Sequence, residues 1–314
     1  MENETFPKTL LEAVRYFSDP DVALRFMVAI RWPDGIYCPR CESTDYSFLS
    51  TRRVWKCRAC KKQFSVKLNT IMEDSPIGLD KWLCAMWMIC GAKNGISSYE
   101  IHRAIGITQK SAWFLLHRIR RAMQTGTFNK LAGDVEVDET FIGGLARNMH
   151  ISKRKHLGTG GAGKVAVIGL LERHGEIKTH VIADTRKETL RPHIDRHIEG
   201  GANVYTDKYP GYNDLDSQYV HNVINHAVEY VRGNIHTNGI ENFWSLLKRM
   251  LRGTYVSVEP FHLFRYLDEQ TFRYNNRKTD DSNRFIKASQ NITDKRLTYK
   301  QLTGKEPAGY ETSH

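Results

Sequence analysis

Acidic side chains stand in two predicted strands, where isolated charges are unusual. In DVEVDETFIGG, period-2 alternation places two valines on one face and Asp134, Glu136 and Asp138 on the other. Asp207 lies 69 residues after Asp138, ends a second apolar strand and is followed by turn residues. Carboxylates suit Mg²⁺ or Mn²⁺, and two such ions about 3.5 to 4 Å apart stabilise both oxygens of an in-line displacement at phosphorus. The pattern indicates phosphodiester chemistry that requires no protein nucleophile.

A predicted helix beginning near residue 236 supplies a third acidic group. In HTNGIENFWSLLKR, steps of 100° place the large apolar residues on one half of the cylinder and Asn238, Glu241 and Lys248 on the other. Glu241 and Lys248 are seven residues apart, so they project from the same side about 10 Å apart along the axis. Both could reach one substrate, although a solvated surface helix shows the same two-faced pattern. Asp207 and Glu241 are 34 residues apart, so convergence of the three acids depends on the fold.

Four of the six cysteines form two CxxC pairs. Cys38 and Cys41 are separated by fifteen residues from Cys57 and Cys60. Four thiolates at this spacing can close a tetrahedron around Zn²⁺, which favours one structural zinc ion over a redox pair or a disulfide knot. Because such a site is closed, its metal holds the fold and does no chemistry.

A helical segment follows the cysteine-rich region. ISSYEIHRAIGITQKSAWFLLHRIRRAM predicts a short helix, a turn at Gly106 and a longer helix with Arg118, Arg120 and Arg121 near its end. This pattern is typical of a DNA-binding helix-turn-helix, and an ordinary helical hairpin is the alternative. Its position beside the cysteine pairs favours DNA contact through the three arginines.

Composition favours a polyanionic partner. The 314 residues include 46 Lys and Arg against 35 Asp and Glu, a net charge of +11 with a pI near 9.3. Basic charge alone does not separate DNA, RNA and acidic membrane. The longest nearly apolar run, WLCAMWMICGA, is about half of what a bilayer requires, and no signal segment is present. We therefore expect a soluble, cytoplasmic protein with no membrane partner.

After Gly133 the hydrophobic period changes from 3.6 to 2. Segments 134–144, 164–173 and 177–184 predict strands, and 187–198 predicts a helix before a fourth strand at 202–208 and a short strand near 222–227. This mixture predicts an α/β or α+β domain. GTGGAGK resembles a phosphate-binding loop, but Val165 replaces the required Ser or Thr, so a loop tracking DNA through 153–156 is preferred. The tail after 290 has few apolar residues and is expected to be partly disordered.

The chain from about residue 18 to 290 resembles bacterial insertion-sequence transposases of the DDE class, in the ISXO-like group with an N-terminal zinc ribbon. The motifs that carry this resemblance are RWPDGIYCPRC, WKCRACKKQFSV, the helix-turn-helix segment, VEVDETFIGG, GKVAVIG, VYTDKYPGY, NHAVEYVRGNIHTNGIENFWSLLKR and FRYNNRK, in this order. Several of them are highly specific in combination. The resemblance implies a ribonuclease H-like catalytic domain in which Asp138 matches the first acidic position and Asp207 the second.

The third position and the supporting residues also follow from the resemblance. The group carries Asn, His or Glu at the third position; Glu241 is preferred because its spacing to Lys248 resembles that of DDE enzymes, and Asn238 is the second choice. Lys248 would contact phosphate near the scissile bond, with Arg249 beside it on DNA. His236 would orient water or substrate, and its alternative is a helix cap or structural group.

The sequence thus predicts a multidomain α/β protein in which a zinc ribbon and a helix-turn-helix region precede a mixed-sheet, ribonuclease H-like catalytic domain. The expected boundaries are a helical segment at 1–31, the zinc ribbon at 32–75, the helix-turn-helix region at 76–130, the catalytic domain at 131–290 and a basic tail at 291–314. The implied activity is cleavage at insertion-sequence ends with two Mg²⁺ or Mn²⁺ ions, then transfer of the 3′-hydroxyl into target DNA.

The implied partners are double-stranded terminal inverted repeats, target DNA and a second copy of the chain, as a homodimer or larger assembly. A transposase-derived DNA-binding regulator without catalysis is the rival interpretation. Loss of an acidic residue would mark that rival, and Asp138, Asp207 and Glu241 are all present. A simple nuclease is less favoured because two recognition modules precede the acidic region.

Overall fold

The polypeptide passes from one folding unit into a second and then returns to the first. A computed structural model of the chain describes residues 6–124, 129–143, 163–224 and 236–306. Within these ranges, residues 6–124 and 278–306 form the first unit, and residues 129–277 belong to the second. None of the helices in the described ranges has the length and apolar character that a transmembrane span requires.

The first unit combines helices with a small antiparallel sheet. Its helices are α1 (Leu10–Phe17), α2 (Pro20–Arg31), α3 (Leu79–Gly91), α4 (Ser98–Ile105), α5 (Gln109–Ala122), α9 (Asp281–Gln290) and α10 (Tyr299–Leu302). Its sheet consists of β1 (Tyr46–Leu49), β2 (Val54–Cys57) and β3 (Gln63–Phe64) in that order. Side-chain caps begin several of these helices, with Asp19 capping α2 just before its first-turn proline.

The predicted helix-turn-helix segment forms a helical pair. Ser97 and Glu100 make a capping box at the start of α4, and Gly106 ends this helix with φ of 62°, a left-handed conformation that glycine adopts without strain. Thr108 then caps α5 through the backbone N–H of Ser111. The turn at Gly106 is confirmed, and contact of this pair with DNA stays a prediction.

The C-terminal boundary differs from the sequence-based expectation. The predicted catalytic domain ends at 290, but α9 belongs to the first unit, where Phe285 is buried. The predicted partly disordered tail is wrong for residues 291–306, because Ile292, Leu297 and Leu302 are all buried in that unit. The three apolar side chains are five residues apart, so the apolar fraction of the segment is low and predicts disorder. Each of the three is nevertheless part of the core.

The second unit is built on a five-stranded mixed sheet. Its strands are β4 (Asp134–Ile142), β5 (Val165–Glu172), β6 (Ile177–Ile182), β7 (Asn203–Asp207) and β8 (Val220–Ile224), in the spatial order β6-β5-β4-β7-β8. The β4–β5 and β5–β6 pairs are antiparallel, whereas β4–β7 and β7–β8 are parallel. The helices are α6 (Lys187–His197), α7 (Asn238–Met250) and α8 (Leu263–Asn275). This mixed α/β arrangement is consistent with a ribonuclease H-like domain and confirms the predicted fold class.

Apolar residues cover both faces of this sheet. One core contains Val135 and Val137 of β4 with Leu190 and Ile194 of α6. The other core contains residues of β5, α7 and α8, including the buried Trp244. Packing of the apolar side of α7 on the sheet is therefore confirmed. The predicted DNA-tracking loop at 153–156 and the end of the short strand, 225–227, lie outside the described residues.

Gly169 permits the close approach of α7 to β5. A Cβ atom at this position would lie 2.7 Å from Cζ2 of Trp244 and 2.9 Å from Cδ1 of Ile240. We expect Gly169→Ala to lower the free energy of unfolding by about 1–3 kcal/mol, the usual range for overpacking a core. Urea denaturation followed by circular dichroism measures this change. Gly200→Ala is the matched control, since a Cβ there meets nothing within 4 Å; equal losses in the two variants would contradict this packing.

Candidate active site

Asp138 and Asp207 occupy neighbouring positions on two adjacent parallel strands. Glu136 of β4 pairs with Tyr205 of β7, and each aspartate lies two residues further along its own strand. Continuing this register sets the two aspartates side by side, on strands that are about 4.8 Å apart. The middle of β4 and the carboxyl end of β7 therefore bring together two acids that are 69 residues apart in sequence.

Helix α7 supplies the third side of this site. The indole Nε1 of Trp244 donates a hydrogen bond of 2.9 Å to Oδ2 of Asp138. Glu241 lies one turn earlier on the helix and, with Asp138, lines an open cleft of about 600 Å³. Asp207 is half-buried and approaches Asp138 from the neighbouring strand instead of lining the cleft.

The neighbouring acids affect the charge state of Asp138. Its pKa is raised to about 6, first by burial and then by the charge of Asp207, with a smaller contribution from Glu241. The hydrogen bond from Trp244 opposes this rise. Mutual repulsion of this kind is relieved when a cation binds between the carboxylates, and oxygen donors are the ligands that Mg²⁺ and Mn²⁺ prefer.

A fourth carboxylate, Glu139, also lines the cleft. Its pKa is raised to about 7, mainly by burial, and the charges of Asp138 and Asp207 act in the same direction. The hydroxyl of the buried Tyr212 donates a hydrogen bond to Glu139 and opposes the rise. Strand alternation alone places Glu139 on the valine face, so only the adjacent DE pair in the sequence points to it.

The cleft is also lined by basic residues. Lys248, Arg249 and Arg252 line it together with the acids. Burial lowers the pKa of Lys248, and Arg252 lowers it further, whereas Asp138 raises it. These three residues follow Glu241 along α7 and its continuation, so one helix carries both a carboxylate and the cations that could bind a phosphate beside it.

His236 lies in a second cleft, with Glu136 and Arg173, instead of the cleft of Asp138. The Nε atom of Arg173 lies 3.0 Å from Oε1 of the buried Glu136, and Nδ1 of His236 lies 3.4 Å from the same oxygen. Glu136 also accepts the backbone N–H of Ile240 at 2.9 Å. These contacts hold the start of α7 and favour the structural alternative for His236, and its role on water or substrate stays a prediction. Asn238 is exposed at the first position of α7 and does not line the acidic cleft.

Two arginines predicted to bind DNA are buried in the first unit. Arg118 is 4% exposed and Arg120 is 1% exposed. The guanidinium of Arg118 donates to the backbone carbonyl of Glu73 and lies 5.4 Å from the ring centre of Trp82. Their assignment as DNA contacts is wrong, because the last turns of α5 are enclosed by their own unit. Arg121 is half-buried and stays a prediction.

The four cysteines of the CxxC pairs form one cluster. Their sulfur atoms all lie within 4.8 Å of one another, with 3.8 Å between Sγ of Cys38 and Cys60 and 3.6 Å between Sγ of Cys41 and Cys57. Tetrahedral zinc with Zn–S bonds of 2.3 Å separates its sulfurs by about 3.8 Å, so the cluster fits this ion. The backbone N–H of Cys60 donates to Cys57 and lowers the pKa of that thiol, which favours the thiolate that binds metal.

Comparison with known proteins identifies the family. Residues 130–275 match the ISXO2-like transposase domain, and residues 18–63 match the transposase zinc-ribbon domain. A protein in transposable element ISH50 of Halobacterium salinarum is 28% identical over 256 residues, covering 76% of this chain and 85% of that protein. A transposase-like protein of Haemophilus influenzae is 33% identical over 102 residues, covering 32% of this chain and 82% of that protein. The chain therefore belongs to the ISXO2-like transposases, with a zinc ribbon ahead of its transposase domain.

Proposed function

We propose that this transposase cuts DNA at the ends of an insertion sequence and transfers the freed 3′-hydroxyl into target DNA. The observation that carries the proposal is the side-by-side placement of Asp138 and Asp207 on adjacent parallel strands, with Glu241 and basic residues lining the cleft of Asp138. Both steps are displacements at phosphorus, so one site of this kind suffices for water and for a 3′-hydroxyl as the attacking group.

The donor set fits two divalent cations of the Mg²⁺ or Mn²⁺ type. Asp138, Asp207 and Glu241 would hold them, since all three offer carboxylate oxygens and the charges of Asp207 and Glu241 both act on Asp138. When bound, such ions activate the attacking oxygen and stabilise the leaving oxygen of the displacement. The cleft favours Glu241 over Asn238 as the third ligand because Glu241 lines it and Asn238 does not.

The chain's own residues position the reacting groups. Trp244 donates to Oδ2 of Asp138 and so fixes the orientation of that carboxylate, and Gly169 gives the indole the space to do this. Lys248 binds the phosphate next to the scissile bond as a point charge, and Arg249 and Arg252 extend the basic surface along the DNA backbone.

Recognition of the ends falls to the first unit. Exposed basic residues surround the cysteine cluster and suit salt-dependent contact with phosphates; they are Arg40, Arg52, Lys56, Lys61 and Lys62. The α4–α5 pair adds a second module for the terminal repeats. Because transposases of this family act on paired ends, we propose a homodimer or larger assembly on DNA, at the nucleoid of the cytoplasm.

The experiment combines purified chain, labelled element ends and unlabelled target DNA with Mg²⁺ or Mn²⁺. The proposal predicts cuts at the end of the element and joint molecules in which the labelled 3′ end is covalently attached to target. Binding of the ends without cuts under any divalent cation would contradict it and would favour the regulator interpretation.

Lys248 tests the phosphate contact. We expect Lys248→Gln to reduce the cleavage rate about 10- to 100-fold, because a hydrogen bond to a charged group contributes about 1.5–3 kcal/mol. Single-turnover cleavage of labelled ends at two salt concentrations measures the loss. Lys187→Gln is the matched control, since Lys187 makes an exposed ion pair with Asp214 in the same unit. If the two variants cleave at the same rate, Lys248 has no such contact.

A further inference from the structure

Three histidines meet between an edge strand and a helix of the second unit. His180 lies on β6, which is at the edge of the sheet, and His193 and His197 lie one turn apart on α6. One ring nitrogen of each lies within 4.8 Å of those of the other two. The ring centres of His180 and His197 are 4.5 Å apart, and those of His180 and His193 are 5.2 Å apart.

The state of these rings suits metal binding. Burial is the main cause that lowers the pKa of His180 to about 3 and that of His197 to about 4. Burial thus favours the neutral imidazole, which is the form that binds metal ions. Nε2 of His180 and Nε2 of His197 are buried and have no hydrogen-bond partner within the described part of the chain. Buried polar atoms normally have partners, so these two nitrogens call for a further ligand.

We propose that His180, His193 and His197 form a binding site for a divalent transition-metal ion, Zn²⁺ in the first instance. Three imidazoles leave one of four tetrahedral positions open for water or another ligand. The site is distinct from the cysteine cluster and from the acidic cleft, and it goes beyond the proposed function. Its nitrogen donors suit Zn²⁺, Ni²⁺ or Cu²⁺, whereas the oxygen donors of the cleft suit Mg²⁺ and Mn²⁺.

Metal binding requires a small movement of the rings. Zinc–nitrogen bonds of 2.0–2.1 Å place tetrahedral ligand nitrogens about 3.3 Å apart. The rings of His180 and His197 are within 12° of parallel, so they must rotate for both lone pairs to meet one ion. Such rotations are changes of side-chain torsion and leave β6 and α6 in place. The bound ion would tie the edge strand to the helix.

Neighbouring positive charges oppose the ion. Lys178, Arg196 and Lys130 lower the pKa of His197 through their charges, and the first two do the same to His180. These cations repel a divalent ion as they repel a proton. We therefore expect the histidine site to release zinc to a mild chelator before the four-cysteine site does.

The test is the zinc content of the full-length chain after loading with zinc chloride and desalting. We expect two zinc ions per wild-type chain, one in His193→Ala and one in His197→Ala, with circular dichroism showing that each variant is folded. His174→Asn is the matched control and keeps two, since His174 is exposed and its φ of 64° is one that asparagine tolerates. One zinc per wild-type chain, unchanged by His193→Ala, would overturn the proposal.

Cobalt separates the two zinc sites without any activity measurement. Co²⁺ bound by thiolates shows an intense sulfur-to-metal charge-transfer band in the near ultraviolet, and Co²⁺ bound by imidazoles shows only visible bands. We expect a second equivalent of Co²⁺ to add visible absorption without adding charge transfer, and His193→Ala to lose this second phase alone. A second phase that survives in both histidine variants would place the ion elsewhere and refute the site.

Discussion

Asp138→Asn is expected to abolish cleavage of element ends while leaving their binding intact. Asparagine keeps an oxygen that accepts the hydrogen bond from Trp244, so the side chain stays in place and only the charge is lost. We expect the rate to fall at least about 10³-fold, because a catalytic ion contributes several kcal/mol of transition-state stabilisation. Single-turnover cleavage gives the rate, and a gel-shift titration gives the affinity for ends.

The control for Asp138 removes a carboxylate of the same unit that lies away from the cleft. Asp216 is exposed, with 78% of its side chain accessible, and does not line the cleft, so Asp216→Asn should cleave at the wild-type rate. If Asp138→Asn cleaves at more than about a tenth of the wild-type rate, the loss is no larger than a modest structural change would cause. Asp138 would then not be a ligand of the catalytic ions.

Cys57→Ser is expected to remove one zinc ion and unfold the zinc ribbon. Structural zinc in small zinc-binding domains contributes about 10–16 kcal/mol of binding free energy, which is also folding free energy. The sheet of β1, β2 and β3 is small, and its buried side chains are a few residues such as Trp55 and Phe64. We therefore expect the metal to supply most of its stability. Metal analysis and limited proteolysis of residues 32–75 measure the two effects.

Cys84→Ser is the matched control for the ribbon. Cys84 lies on α3 outside the cluster, so this variant should keep the zinc content and the protease resistance of the wild type. Equal zinc in Cys57→Ser and wild type would refute the four-cysteine site. If Cys57→Ser no longer binds element ends but still acts on pre-nicked ends, the ribbon is the part that recognises the ends.

Local pattern was sufficient for the strands and for α7. Alternation predicts β4 and places Glu136 and Asp138 on one face, and the 3.6-residue period predicts the side of α7 on which Trp244 packs. Both patterns arise from contacts within one element and its immediate partner. The meeting of Asp138 with Asp207, in contrast, depends on the parallel pairing of β4 with β7, which the resemblance to a family implies and no local pattern shows.

The errors share one physical origin. Arg118 and Arg120 look like a basic surface in sequence, but a charged side chain is also buried when its unit supplies carbonyl and aromatic partners. Residues 291–306 look disordered because a few apolar residues are diluted by polar ones. In each case tertiary contacts made by distant residues decide the outcome, and composition does not contain them.

The most direct test of whether Asp138 and Asp207 hold the catalytic ions is a titration with Mn²⁺. The chain is first bound to an already cleaved element end, and electron paramagnetic resonance measures the bound Mn²⁺. We expect two bound Mn²⁺ ions per active site in the wild type, and loss of both from the double variant Asp138→Asn with Asp207→Asn, which should still hold the end. Equal Mn²⁺ binding by the wild type and this double variant would contradict this expectation, because the ions would then be held by other residues.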